Sequence, residues 1–114
     1  MNSFCNKLKI SKKDFLFQFQ SHPNYPSALA FSDTLNFLNI KNDVYEIENE
    51  SWNELPNQYI TIYHNKFTIV EKSNDKYLIF NDEENKISKD ELLKNSENIV
   101  FIFNKIEDTS DAKK

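Results

Sequence analysis

Tyr59-Ile60-Thr61-Ile62-Tyr63, then His64-Asn65-Lys66, then Phe67-Thr68-Ile69-Val70: this stretch decides the fold. β-branched and aromatic residues fill both runs, and the polar triplet between them suits a hairpin connection. Alternation puts Tyr59, Thr61 and Tyr63 on one face and Ile60 and Ile62 on the other. The isoleucine face is the expected core, and part of the tyrosine face is expected to be open to a partner. Working forward, Ser73-Asn74-Asp75 makes a second short turn before the strand Tyr77-Leu78-Ile79-Phe80. Asp82-Glu83-Glu84 reads as a solvated turn, because a calcium loop needs alternating carboxylates and usually a central glycine. Ser88-Lys89-Asp90-Glu91 is a capping box for a short helix. Ile99-Val100-Phe101-Ile102-Phe103 is apolar on both faces, which predicts a central strand.

Working backward from the hairpin, the period changes. Glu50 to Leu55 reads as a short helical turn stopped by Pro56, and Val44 to Ile47 as a strand. Ala28, Phe31, Leu35 and Leu38 recur at intervals of three and four, which makes the apolar stripe of a helix running to about Asn39. Ser27 is its expected N-cap. The segment Ser21-His22-Pro23-Asn24-Tyr25-Pro26-Ser27 carries two prolines three apart, which forbid regular structure through it. A capping box at Ser11-Lys12-Lys13-Asp14 opens an earlier helix ending near Gln20. Helices first, then an antiparallel meander with one late helix, is an α+β pattern. Residues 1–105 are expected to form one domain and residues 106–114 a polar tail.

The composition excludes several function classes. The 114-residue chain contains no glycine, so no Gly-rich phosphate cradle or dinucleotide fingerprint exists. Turns that need positive φ are expected to use Asn or Asp, of which the chain has many. The net charge is −4 and all fourteen basic residues are Lys. A nucleic-acid partner, which needs a basic face, is therefore not expected. Cys5 is the one cysteine, so no internal disulfide or Cys-based zinc site is possible. No metal and no cofactor is expected. No apolar run reaches the roughly 18–20 residues of a membrane span, and residues 1–7 are too polar for a signal peptide. The expectation is a soluble domain, with tethering to a membrane protein left open.

For chemistry, Cys5 with His22 or His64 is a candidate nucleophile and base. The plainer reading makes Cys5 a thiol near a frayed terminus, His22 a turn residue and His64 a solvated strand end. Trp52, Tyr25, Tyr59, Tyr63 and Tyr77 are candidates for a peptide-binding surface.

Several stretches together resemble one family. They are His22-Pro23-Asn24-Tyr25-Pro26-Ser27-Ala28-Leu29, Ser32-Asp33-Thr34-Leu35, Leu38-Asn39-Ile40, Glu54-Leu55-Pro56, Phe67-Thr68-Ile69-Val70 and Ile87-Ser88-Lys89-Asp90-Glu91-Leu92. In this order they resemble the bacteriocin-processing cysteine peptidase domain (family 39). They resemble still more its degenerate relatives in Bacteroidetes-type bacteria, where the domain is fused to vitamin K epoxide reductase-like or thioredoxin-like units. The resemblance covers roughly residues 8–104 and implies a half-papain-like fold, with helices packed on a twisted antiparallel sheet.

In the active family a Cys lies in an Asp-Cys-Gly motif on an early helix, with an upstream Gln for the oxyanion. A His opens a strand reading His-Phe-Val-Val, and an Asp ends the next strand. Here Cys5 lacks both neighbours and stands six residues before Ser11. Lys66 takes the place of the His and Asn81 that of the Asp, with Asp82 one residue out of register. His64 is displaced from Lys66 along the strand by about 6–7 Å, beyond the reach of a general base.

The resemblance therefore implies a non-catalytic domain that docks a peptide or protein, either exported cargo or a partner domain of a membrane transporter or disulfide-forming fusion. Its expected place is the cytoplasm or the inner face of a bacterial inner membrane. Tyr63, His64, Lys66 and Asn81 are expected to border the cleft: Lys66 to hold a carboxylate, Asn81 to bond peptide backbone, Tyr63 to supply apolar area. The alternative is an active cysteine peptidase that cleaves leader peptides with Cys5 as nucleophile.

Overall fold

A computed structural model describes residues 2–103; the polar tail expected over 106–114 lies outside them. The chain runs α1 (Asn2–Leu8), α2 (Lys12–Gln20), α3 (Ala28–Phe37), β1 (Asn42–Glu46), a 3-10 segment (Asn49–Glu54), β2 (Gln58–Tyr63), β3 (Lys66–Ser73), β4 (Lys76–Phe80), β5 (Glu84–Ile87), α4 (Lys89–Asn95) and β6 (Ser96–Phe103). The six strands form one antiparallel sheet in the order β1-β6-β2-β3-β4-β5. The α+β architecture, with helices packed on an antiparallel sheet, is the one expected, and β6 lies inside the sheet between β1 and β2.

Local chemistry sets the boundaries. The hydroxyls of Ser11, Ser27 and Ser88 each accept the backbone N–H three residues on, at 3.2 Å, and open α2, α3 and α4. α1 and α3 close in the same way without glycine. Ile10 N–H donates to Cys5 O and Lys9 N–H to Asn6 O; Ile40 N–H donates to Leu35 O and Asn39 N–H to Asn36 O. These are the paired bonds of a Schellman motif. The left-handed residue is Lys9 in one case (φ 61°) and Asn39 in the other (φ 71°). The β2–β3 hairpin turns on His64 (φ 50°) and Asn65 (φ 64°), and the next on Asn74 (φ 56°); Lys9 and His64 thus depart from the Asn-or-Asp expectation.

Three expectations need correction. The first residues are not a frayed terminus: they form α1, which buries Phe4, Cys5 and Leu8. Their periodicity was hidden by polar neighbours: Asn2 and Asn6 are exposed, while Lys7 is half-buried with its ammonium on Glu71 and over the Phe80 ring. The acidic turn shortens to Asp82-Glu83, and Glu84 begins β5, paired to Phe80 across β4. The tyrosine face of β2 is not open to a partner. Tyr59 and Tyr63 are buried there with Trp52, Val70, Ile79, Leu92 and Val100, beneath α4 and the 3-10 segment.

The opposite face carries the larger core. Phe4, Phe15, Phe19 and Phe31 from the helices meet Ile60, Ile69, Phe80 and Phe101 from the strands. Phe31 lies stacked on Phe67, with ring centroids 3.8 Å apart. Burial of these side chains supplies about 1.5–3 kcal/mol each before entropy is counted.

Candidate functional site

At one end of the sheet, the β2–β3 turn and the end of β4 face α2 and the proline segment. A pocket of about 290 Å³ opens there. Leu16, Phe19 and Phe67 form its apolar side with Tyr25 and Pro26; Asn65, Lys66, Asn81 and Asp82 form its polar rim. The proline segment is held in place from both sides. The His22 Nδ1 accepts the Asn24 N–H at 3.0 Å, which leaves Nε2 to donate to Asp33 Oδ2 at 2.9 Å on α3. The Tyr25 ring packs edge-on against Phe19 at 4.8 Å. Tyr25 nonetheless stays 44% exposed, so the pocket presents an aromatic lip to solvent.

The rim is pre-organised. Lys66 Nζ donates to Asp82 Oδ2 at 2.7 Å. That ammonium is the first cause holding the Asp82 carboxyl down at about 2, below its ordinary range. Both side chains are 54% exposed, so the pair contributes at most about 1 kcal/mol and a ligand can open it. Asn81 Oδ1 accepts the N–H groups of Asp82 and Glu83, and its Nδ2 donates to Thr68 Oγ1 at 3.2 Å. The Phe4 N–H donates to Asn81 O at 2.9 Å, which ties α1 to the rim. Asn81 thus closes the β4–β5 turn.

Of the four residues expected at the cleft, the structure brings Lys66 and Asn81 together and separates Tyr63 and His64 from them. Tyr63 is 6% exposed and lies on the α4 face, where its hydroxyl donates to Glu91 Oε2 at 3.0 Å. Burial, and then that carboxylate, raise its phenol to about 12. The His64 ring stacks edge-on against Tyr63 at 4.4 Å and stands 3.9 Å from Glu91. The reason is the turn. His64 and Asn65 are the two loop residues of the hairpin, with Tyr63 paired to Lys66, so His64 is not in the strand register that the expectation assumed.

Cys5 is 2% exposed and packs in the phenylalanine core. Burial pushes its thiol up, which lowers the thiolate fraction a nucleophile needs. The pocket residues that sequence reasoning missed are Leu16, Phe19, Pro26, Asn65 and Phe67. Their signal was indirect: the double-proline segment was singled out, but not the strand end it would cover.

No family model and no curated protein matches this chain. Solved structures do. The chain is similar to the peptidase domain of Streptococcus ComA, a bi-functional ABC transporter involved in a quorum sensing pathway. The TM-score is 0.68 at 11% identity, over 89% of this chain and 84% of that one. It is also similar to the Streptococcus mutans ComA peptidase domain in complex with a small-molecule inhibitor, with a TM-score of 0.60 at 11% identity, over 75% and 80% of the two chains. The fold is that of these peptidase domains.

Proposed function

We propose that this chain is a peptidase-like domain that does not cleave, and that its end-of-sheet pocket docks a polypeptide segment. The observation that carries this is the pocket itself. It joins an apolar wall to a rim where Lys66 and Asn81 stand in the places that the family resemblance gives to the histidine and the carboxylate. The framework of a peptidase is kept, while the groups at those places suit recognition: an ammonium, an amide, an exposed carboxylate and an aromatic lip. The buried Cys5 thiol supports the same reading. The partner is a peptide or protein, either exported cargo or a neighbouring domain of a membrane transporter or disulfide-forming fusion. The domain works in the cytoplasm or at the inner face of a bacterial inner membrane. No helix among the described residues is long and apolar enough to cross a membrane.

The test is a nuclear magnetic resonance titration of the isotope-labelled chain with a double-glycine leader peptide, followed by analysis of the peptide. Docking predicts shifts at Leu16, Tyr25, Phe67 and Asn81 and an intact peptide. Lys66→Glu, with unchanged circular dichroism, should weaken binding about tenfold, the scale of one lost charge pair. Cleavage that disappears in Cys5→Ala would instead establish the working peptidase.

A further inference from the structure

The two edges of the sheet differ in what they offer. β5 exposes Glu84, Asn85 and Lys86, and its Ile87 is partly buried in the Trp52–Tyr59 core. Charged and polar residues of this kind blunt an edge. β1 is built otherwise. It pairs with β6 alone among the described strands, so its other side presents backbone N–H and C=O groups outward. Two large apolar side chains lie exposed on it, Val44 at 42% and Tyr45 at 51%. Val44 is registered with Phe101 and Tyr45 with Val100, so one projects on the helix-covered face and the other on the opposite face. α3 meets the start of the strand through Asn42, whose Nδ2 donates to Asn36 Oδ1 at 3.4 Å. The adjoining Phe37 is exposed as well.

Charge chooses the occupant. Over residues 41–48 the exposed charged groups are Lys41, Asp43, Glu46 and Glu48, a net acidic edge. A second copy would set two such edges side by side, whereas a cationic strand would be held by complementarity. We propose that β1 is a second docking surface, distinct from the pocket, which takes an extended basic segment as an added strand. Directly opposed residues in a sheet share a face and interact. The residues opposite Glu46, Tyr45, Val44 and Asp43 are therefore best as basic, apolar, apolar, basic. This order reads the same in both directions, so the side chains select the motif whichever way the segment runs. Main-chain bonds supply affinity and the alternating side chains supply selection.

The experiment uses the full chain, isotope-labelled, with two capped peptides: Thr-Lys-Tyr-Val-Lys-Thr and its charge-reversed counterpart Thr-Glu-Tyr-Val-Glu-Thr. The lysine peptide should shift Asp43 to Glu46 and leave Leu16 and Phe67 unmoved, and it should bind about tenfold more tightly than the glutamate peptide. The doubly substituted Asp43→Lys, Glu46→Lys chain, whose changes fall on exposed side chains, should reverse that preference. Equal binding of the two peptides overturns the proposal. So does binding of the lysine peptide at Leu16 and Tyr25, since that would return the partner to the pocket. If neither peptide binds while the chain self-associates and Val44→Lys makes it monomeric, the edge belongs to a second copy and the proposal fails.

Discussion

Phe31 and Tyr63 sit on opposite faces of the same sheet, each among aromatic rings, yet they are held differently. Phe31 is ringed by other phenylalanines: Phe4, Phe15, Phe19, Phe67 and Phe101 surround it with centroids 3.8–5.8 Å away. Tyr63 is also buried, but its ring ends in a hydroxyl that reaches the exposed Glu91, and His64 lies against its edge. The centre of the helical face is thus held by packing, with its polar ties at the margin. The α4 face is fixed by shape plus a polar contact at its margin. Stability on the first face should depend on volume, and on the second also on pH.

The largest expected effect comes from removing the centre of the first face. Phe31→Ala empties a fully buried site and should cost about 3–5 kcal/mol, read as a fall in the urea midpoint. Tyr63→Phe keeps the ring and removes one hydrogen bond to a solvated carboxylate. It should cost about 1 kcal/mol. A loss comparable to that of Phe31→Ala would break the comparison, because the α4 face would then rest on its polar margin.

Alkali sharpens the same contrast. The Tyr63 phenol ionises near 12 in the folded chain, against about 10 for an unfolded tyrosine. Its neutral form is the one the fold prefers. Its contribution is therefore fully present below pH about 10 and is lost as pH rises through about 12. Tyr59, raised mainly by burial, moves in the same direction. Stability measured across this window should fall less steeply in Tyr63→Phe than in the parent chain. An identical slope would mean that Tyr63 is not the group responsible.

These two faces also mark what the sequence made legible. Strong periods were read correctly: the Phe31–Leu35 stripe, the β2–β3 hairpin, and β6 as an inner strand. Serine caps at Ser27 and Ser88 were visible because capping is local chemistry. The second core was not legible, because alternation identifies the two faces of β2 without saying what covers each. The 3-10 segment was expected as a turn, but nothing local says that it lays Trp52 over Tyr59, with centroids 6.1 Å apart. The candidate site was half legible for the same reason. Lys66 and Asn81 were marked by the family resemblance, and the β3–β4 register then sets Asn81 beside Thr68, two residues from Lys66. Leu16 and Tyr25 reach them across the tertiary fold. His64 was misplaced by a single backbone feature, two successive residues of positive φ, which no side-chain period reports.

The smallest effect lies in the backbone of the phenylalanine face. Both Schellman motifs there deliver an apolar residue, Ile10 or Ile40, onto the core through a left-handed residue. An L-residue in that conformation costs about 1–2 kcal/mol, and asparagine is the side chain that tolerates it best after glycine. Asn39 is therefore near its optimum, while Lys9 carries the cost with a side chain that is exposed. Lys9→Gly relieves the strain and gives back part of the gain as unfolded-state entropy, so it should stabilise the chain by roughly 0.5–1 kcal/mol. Asn39→Gly should gain less. Paired urea curves on the two variants decide it: a larger gain at Asn39 than at Lys9 would mean that α1 is terminated by something other than this motif, and that the entry of Ile10 into the core does not depend on it.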